Sequence, residues 1–184
     1  QNGDLEMALA AITGDNVSAD ITGLIGQYAH GNEPSHHIAY MFNHANQPWR
    51  TQYWARHIMD TQYNTTPNGL SGNEDCGQMS AWYVLSSIGL YPMNPASGEY
   101  EIGSPIFEKS TIKLPENKTF MIEAEYVSHT NFYIQSATLH GKPFTKTTLS
   151  HQDILKGGTL HFVMGNKPNK NWGIKNKAQQ LTKK

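Results

Sequence analysis

Up to about Tyr91 the apolar residues of this chain recur with the period of a helix, and beyond Asn94 they alternate. In 4–13, Leu5, Ala8, Leu9 and Ile12 fall at helical spacing. Between Ser35 and Asn46, Ile38, Met41, Phe42 and Ala45 stand at i, i+3, i+4 and i+7, which predicts a helix with one buried stripe and Pro34 at its first turn. Pro48 opens a second helix, its fixed φ suiting the first helical position. This helix runs through Trp49, Tyr53, Trp54, Ile58 and Tyr63 until "NTTPNG" breaks it, with Gln52, Arg56 and Asp60 as its wet face. A third helix, from Gly77 to Leu90, carries Met79, Trp82, Tyr83, Val84, Leu85 and Ile88 nearly all round, the mark of a helix enclosed by protein.

After Pro92 the period becomes two. "TFMIEAEY" sets Phe120, Ile122, Ala124 and Tyr126 against Thr119, Met121, Glu123 and Glu125, and similar alternation fills 110–114, 132–139 and 160–164. "PENK", "HGK" and "KGG" supply turns between them. The expected fold is α+β: a helical half over 1–93, an antiparallel β-sandwich or sheet layer over 94–173 packed against it, and a polar tail over 174–184.

With 14 basic and 15 acidic residues spread through the chain, no basic stripe is available for nucleic acid. No apolar run approaches the roughly 18 residues of a membrane span. Cys76 is the single cysteine, so no internal disulfide can form, and its place beside a buried helix predicts that it packs as a small apolar residue. The chain opens at Gln1 and reads as a piece of something longer. Sequons at Asn16, Asn64 and Asn117 carry little weight.

Two loops feed helix starts and both carry acids: "GQYAHGNEPSHH", with Asn32 and Glu33 ahead of Pro34, and "GNEDCGQ", with Asn73, Glu74 and Asp75 ahead of Gly77. The simple reading makes Glu33 and Asp75 helix N-caps, worth about 1 kcal/mol each. The glycines around them, Gly31, Gly69, Gly72 and Gly77, argue for more, because they allow close backbone approach. "GNE" offers carboxylate, amide and carbonyl oxygens, the donors a hard cation such as calcium takes. Histidines 30, 36, 37 and 44 lack any zinc spacing and point instead to hydrogen bonds with substrate or backbone. Trp49, Trp54 and Trp82 read as core before they read as sugar platforms.

"GLIGQYAHGNEPSHHIAYMFN", "QPWRTQYWAR" and "GLSGNEDCGQMSAWYVLSSIGLYPMNPASGEYEIGSPIF" resemble glycoside hydrolase family 92, the calcium-dependent exo-acting α-mannosidases, as do "YIQSATLHGKPF" and "KGGTLHFVMGNKPNKNWG". The resemblance runs from about Ile21 to Gly173 and implies the C-terminal third or less of a longer enzyme. It implies that the first half is the last helices of an (α/α)6 barrel holding the active site, and the second half the strands that follow it.

What the resemblance implies chemically is removal of mannose with inversion, with Ca2+ on the sugar hydroxyls. Asp75 matches the general-base position; Asn73 stands where the family can carry a second acid, and Glu74 is the neighbour that could assist. The general acid belongs to an upstream motif absent from this chain, so the fragment alone is expected to be inactive. Glu33 and Asn32 are the expected calcium ligands, with His30, Glu33, His36 and Gln78 toward the substrate, a mannose-containing oligosaccharide of mannan or N-glycan type with α-1,2 or related linkages. The expected partner is the missing N-terminal part of the same polypeptide, and the expected location is secreted, periplasmic or cell-surface. The rival readings are a calcium-dependent mannose-binding module without chemistry, and a structural remnant without ligand affinity.

Overall fold

The computed structural model describes residues 22–174. The helix expected over 4–13, the sequon at Asn16 and the tail beyond 174 therefore lie outside the described residues. The chain begins with a hairpin of β1 (Leu24–Ile25) and β2 (Tyr28–Ala29). Two 3-10 turns, Glu33–Ser35 and Ile38–Tyr40, lead into α1 (Met41–His44), and α2 (Pro48–Gln62) and α3 (Gln78–Ser87) follow.

The single helix expected over Ser35–Asn46 is thus broken, and its stripe faces the other way. Ile38 and Met41 are exposed, whereas Ala39, Tyr40 and Asn43 are buried. Three residues per turn bring i and i+3 into line, so the 3-10 turn puts Ile38 and Met41 together and turns their neighbours inward. The expected wet face of α2 also needs correction. Asp60 is exposed, but Gln52 and Arg56 are buried. They meet unpaired backbone of the strand half: Gln52 Oε1 accepts from Ile134 N at 2.9 Å, and Arg56 Nη2 donates to the carbonyls of Pro105 and Ser128 at 3.2 and 3.3 Å. Buried backbone groups must find partners, so these polar side chains are where the helix docks. Helix α3 buries Met79, Trp82, Ser86 and Ser87 but leaves Val84 58% exposed, so within the described residues it is not enclosed on every side.

The strand half consists of β3 (Leu90–Tyr91), β4 (Glu99–Ile102), β5 (Lys109–Lys113), β6 (Thr119–Glu125), β7 (Tyr133–Leu139), β8 (Lys142–Pro143), β9 (Thr148–Ser150), α4 (His151–Leu155) and β10 (Gly158–Gly165). Strands β3, β4 and β9 form one antiparallel sheet, and the other is ordered β5-β6-β10-β7-β8. The purely antiparallel expectation fails at one seam. β10 runs parallel to β6, pairing Leu160 with Ile122 and Phe162 with Ala124, and antiparallel to β7. Strands β6 and β7 are consecutive yet not neighbours; the chain between them steps across a gap that β10 later fills. Alternation predicted the four longest strands, β5, β6, β7 and β10, but neither the short strands nor the direction in which partners run.

Leu160, Phe162 and Met164 of β10 share one core with Phe120, Ile122, Ile134, Leu149 and Leu90. A second core gathers Ala39, Tyr40, Ala55, Ile58, Met59 and Trp82, with Tyr91. The two residues of β3 point to opposite faces, as strand geometry requires, and so join the two cores.

Candidate active site

The two acidic loops meet. The β1–β2 hairpin is closed by His30 N–H to Gly23 O and Gly31 N–H to Thr22 O, both 3.0 Å. This stacks Gly31 on Thr22 and on Ser71–Gly72 of the second loop. A methyl at Gly31 would collide with Thr22 Oγ1 and lie 2.6 Å from the Ser71 carbonyl oxygen, and one at Gly72, whose φ is +85°, would strike the same Thr22 hydroxyl. These glycines are what lets the loops touch.

Asp75 and Glu33 face each other as a result, their carboxyls within hydrogen-bonding contact. The Asp75 carboxyl is held above its ordinary range, first by partial desolvation and then by the charge and hydrogen bond of Glu33, with His36 acting in opposition. Asp75, Cys76 and Gly77 adopt φ of +52°, +56° and +91°, a left-handed run that L side chains occupy at a cost. The run throws Asp75 out of helix α3. Neither it nor Glu33 is a side-chain cap: the N-cap residues are Gly77 for α3 and Asn32 for the 3-10 turn. Glu74 takes the capping role instead, accepting from Ser80 N and Ser80 Oγ, both at 3.0 Å. Asn73 is exposed, and so is Cys76, which corrects the expectation that this thiol packs inside.

Beneath the carboxylates lies a layer of rings around Trp82. His30 is fully buried; Tyr28 OH and Tyr63 OH approach its Nδ1 and Nε2 at 2.8 and 2.6 Å. It stacks on His36 at 4.7 Å and meets Trp82 edge-on at 4.6 Å. Burial, with help from His36, lowers the His30 pKa to about 3, so the ring is neutral. His36 Nε2 bonds the His30 carbonyl at 2.9 Å and Nδ1 lies 3.2 Å from Gln78 Nε2. Its pKa is lowered by burial, against the opposing pull of that backbone bond, Glu33 and Asp75. Both imidazoles thus support the loops with every ring nitrogen engaged. His37 is exposed, and His44 pairs with Glu101 at 2.8 Å on another face.

Tyr28 and Tyr63 were not foreseen from sequence. Tyr28 had a signal, since positions 28 and 30 of an extended segment share a face. Tyr63 had none, because it reaches His30 from 33 residues away.

Two facing carboxylates and the Asn32 amide are hard oxygen donors of the kind calcium takes. They fit the ion in type. Among the described residues no group of three or more His, Cys, Asp or Glu side chains converges as a metal site, so a shell of about six to eight oxygens would need donors beyond these side chains.

A sugar-cleaving hydrolase is the class to which paired carboxylates on such loops are suited, and comparison with known proteins narrows it. Residues 4–166 match the glycosyl hydrolase family 92 catalytic domain, and the chain belongs to that family. It is 42% identical to a family 92 α-mannosidase of Bacteroides thetaiotaomicron solved in complex with mannoimidazole, with a TM-score of 0.86 over 93% of this chain and 23% of that one. A family 92 inverting mannosidase from the same species is 45% identical, with a TM-score of 0.78 over 82% of this chain and 20% of that one. An uncharacterised secreted glycosidase of Arthroderma benhamiae is 36% identical over 146 residues, 78% of this chain and 19% of its own length. The chain therefore spans about a fifth of the length of these relatives.

Proposed function

We propose that this chain is the part of a secreted, calcium-dependent, inverting exo-α-mannosidase that carries the general base, Asp75. In this reading the helical half supplies the last helices of an (α/α)6 barrel, and the rest of the polypeptide supplies the general acid. The observation that supports it most is the Glu33–Asp75 contact across two glycine-bracketed loops.

Inversion needs two carboxyls roughly 6.5–9.5 Å apart, to admit a sugar and a water. Glu33 and Asp75 are far closer than that, so they are not the acid and base of one displacement. Asp75 takes a proton from the attacking water, and its raised pKa improves it as a base. Glu33, with Asn32, is assigned to calcium, which when bound would withdraw charge from the sugar hydroxyls and orient the ring. Gln78 offers its Oε1 to a sugar hydroxyl, since its Nε2 is engaged by His36. His30 and His36, placed earlier toward the substrate, serve here by holding the loops. Glu74 is occupied with Ser80, which leaves Asp75 to act as base without it.

The test is aryl α-mannoside hydrolysis by the full-length protein that carries this chain. Asp75→Asn should reduce kcat by at least about a thousand-fold, EDTA should abolish turnover, and the 184-residue chain alone should show none. Mannose binding without turnover in the full-length protein would instead establish a non-catalytic module.

A further inference from the structure

We propose that Tyr63 is a positioning residue for Asp75, its hydroxyl forming a strut between the glutamate loop and the first turn of α3; this rests on the assignment of Asp75 as base. With all three contacts made as hydrogen bonds, the proton count along the strut allows one arrangement. Tyr63 has a single hydroxyl hydrogen and donates it to the Met79 carbonyl at 3.0 Å. Toward His30, at 2.6 Å, Tyr63 must therefore accept, so His30 carries its proton on Nε2. His30 Nδ1 is then the acceptor for Tyr28 OH at 2.8 Å. In this arrangement the relay runs Tyr28 to His30 to Tyr63 to Met79 in one direction.

A second strut runs beside it. His36 donates from Nε2 to the His30 carbonyl at 2.9 Å, so its Nδ1 accepts from Gln78 Nε2 at 3.2 Å. Both struts leave the glutamate loop at His30 or His36 and end on Gln78 and Met79, the first two residues of α3. Immediately before them stand Asp75, Cys76 and Gly77 in left-handed backbone. Such a run persists only where its surroundings over-determine it. Met79 is held at both ends of its backbone, its N–H on Glu74 O at 3.3 Å and its carbonyl on Tyr63. Tyr63 is also fixed as a ring, parallel to Trp82 within 1° at 6.0 Å. Removing its hydroxyl would leave the ring packed, take away the bond that ties the Met79 carbonyl to a group outside its own helix, and let Asp75 move relative to Glu33.

The experiment uses the full-length enzyme carrying this chain, with Tyr63→Phe, Tyr83→Phe and Asp75→Asn assayed on an aryl α-mannoside. Tyr83 belongs to the same ring cluster, 4.7 Å from Tyr63, and has no part in either strut. The expected result is that Tyr63→Phe lowers kcat about ten-fold or more with KM within about two-fold, the signature of an interaction that matters in the transition state. Tyr83→Phe should change neither constant. Should Tyr63→Phe not fold, Tyr28→Phe carries the same test, since it removes the donor that fixes the His30 tautomer and should also lower kcat selectively. A kcat within two-fold of wild type in the strut variant that folds, or a raised KM at unchanged kcat, overturns the positioning role while Asp75→Asn remains inactive. Full activity of Asp75→Asn would overturn the base assignment itself.

Discussion

A histidine hemmed in by tyrosines makes the molecule sensitive to acid well above the carboxylate range. His30 titrates near 3 in the folded state against 6.5 when unfolded, so between those values the unfolded chain binds a proton that the native one does not. Stability is then fully present above pH 6.5 and is lost as pH falls toward 3, by at most about 1.4 kcal/mol per pH unit for each such group. His36, also lowered, acts in the same direction. Urea midpoints should therefore drop between pH 7.5 and pH 5, and His30→Gln should flatten that dependence. The glycines make a second expectation at this scale. Gly31→Ala forces a methyl against Thr22 and the Ser71 carbonyl, neither of which is a flexible chain end, and should destabilise by about 1–3 kcal/mol in thermal melting. Gly31 and Gly72 could be picked out in sequence because a cap does not require them. The identity of the cap could not: two adjacent acids look alike on paper, and only the left-handed run shows that Glu74 points back to Ser80 while Asp75 points away.

Among the elements, α2 and the four long strands β5, β6, β7 and β10 were legible because their patterns persist long enough to fix a period. The segment before α2 was not. A stripe of four residues fits an α-helix, yet the chain winds more tightly there, with Tyr40 N–H bonded three residues back to His37 O at 3.0 Å. The polar side of α2 misled for a different reason: polarity signals a need for hydrogen bonds, which water or backbone can meet equally well. The short helix α4, not among the helices expected from sequence, is held by local bonds. Ser150 Oγ accepts from Asp153 N at 3.1 Å and donates to the Asp153 carboxylate at 2.8 Å, while Lys156 Nζ holds the other carboxylate oxygen at 2.7 Å. The bonds from Lys156 and Ser150 lower the Asp153 pKa. Ser150→Ala should cost about 1 kcal/mol, measurable as a shift in the denaturation midpoint with an unchanged slope.

At the scale of the whole molecule the two cores are joined by the residues of β3, and polar side chains add ties between helix and sheet. Gln52 accepts from Ile134 N beside the irregular register between Val163 and Met164, where the β7–β10 ladder skips a residue. Gln52→Leu would fill a similar space but leave that buried N–H without its partner, an expected loss of about 1–3 kcal/mol. Because the bond crosses from helix to sheet, hydrogen exchange at Ile134 should accelerate in this variant, whereas exchange at Phe120 should not. No sequence pattern announces such a tie, since its partners stand 82 positions apart.

The placement of β10 carries a consequence for how the protein is made. As the chain emerges from the ribosome, β6 and β7 appear with the slot between them empty, and their inner edges can find no lasting mate until residues 158–165 have been synthesised. Nascent chains halted before that point should stay protease-sensitive throughout the larger sheet, and release of the last strand should protect all of it in one step.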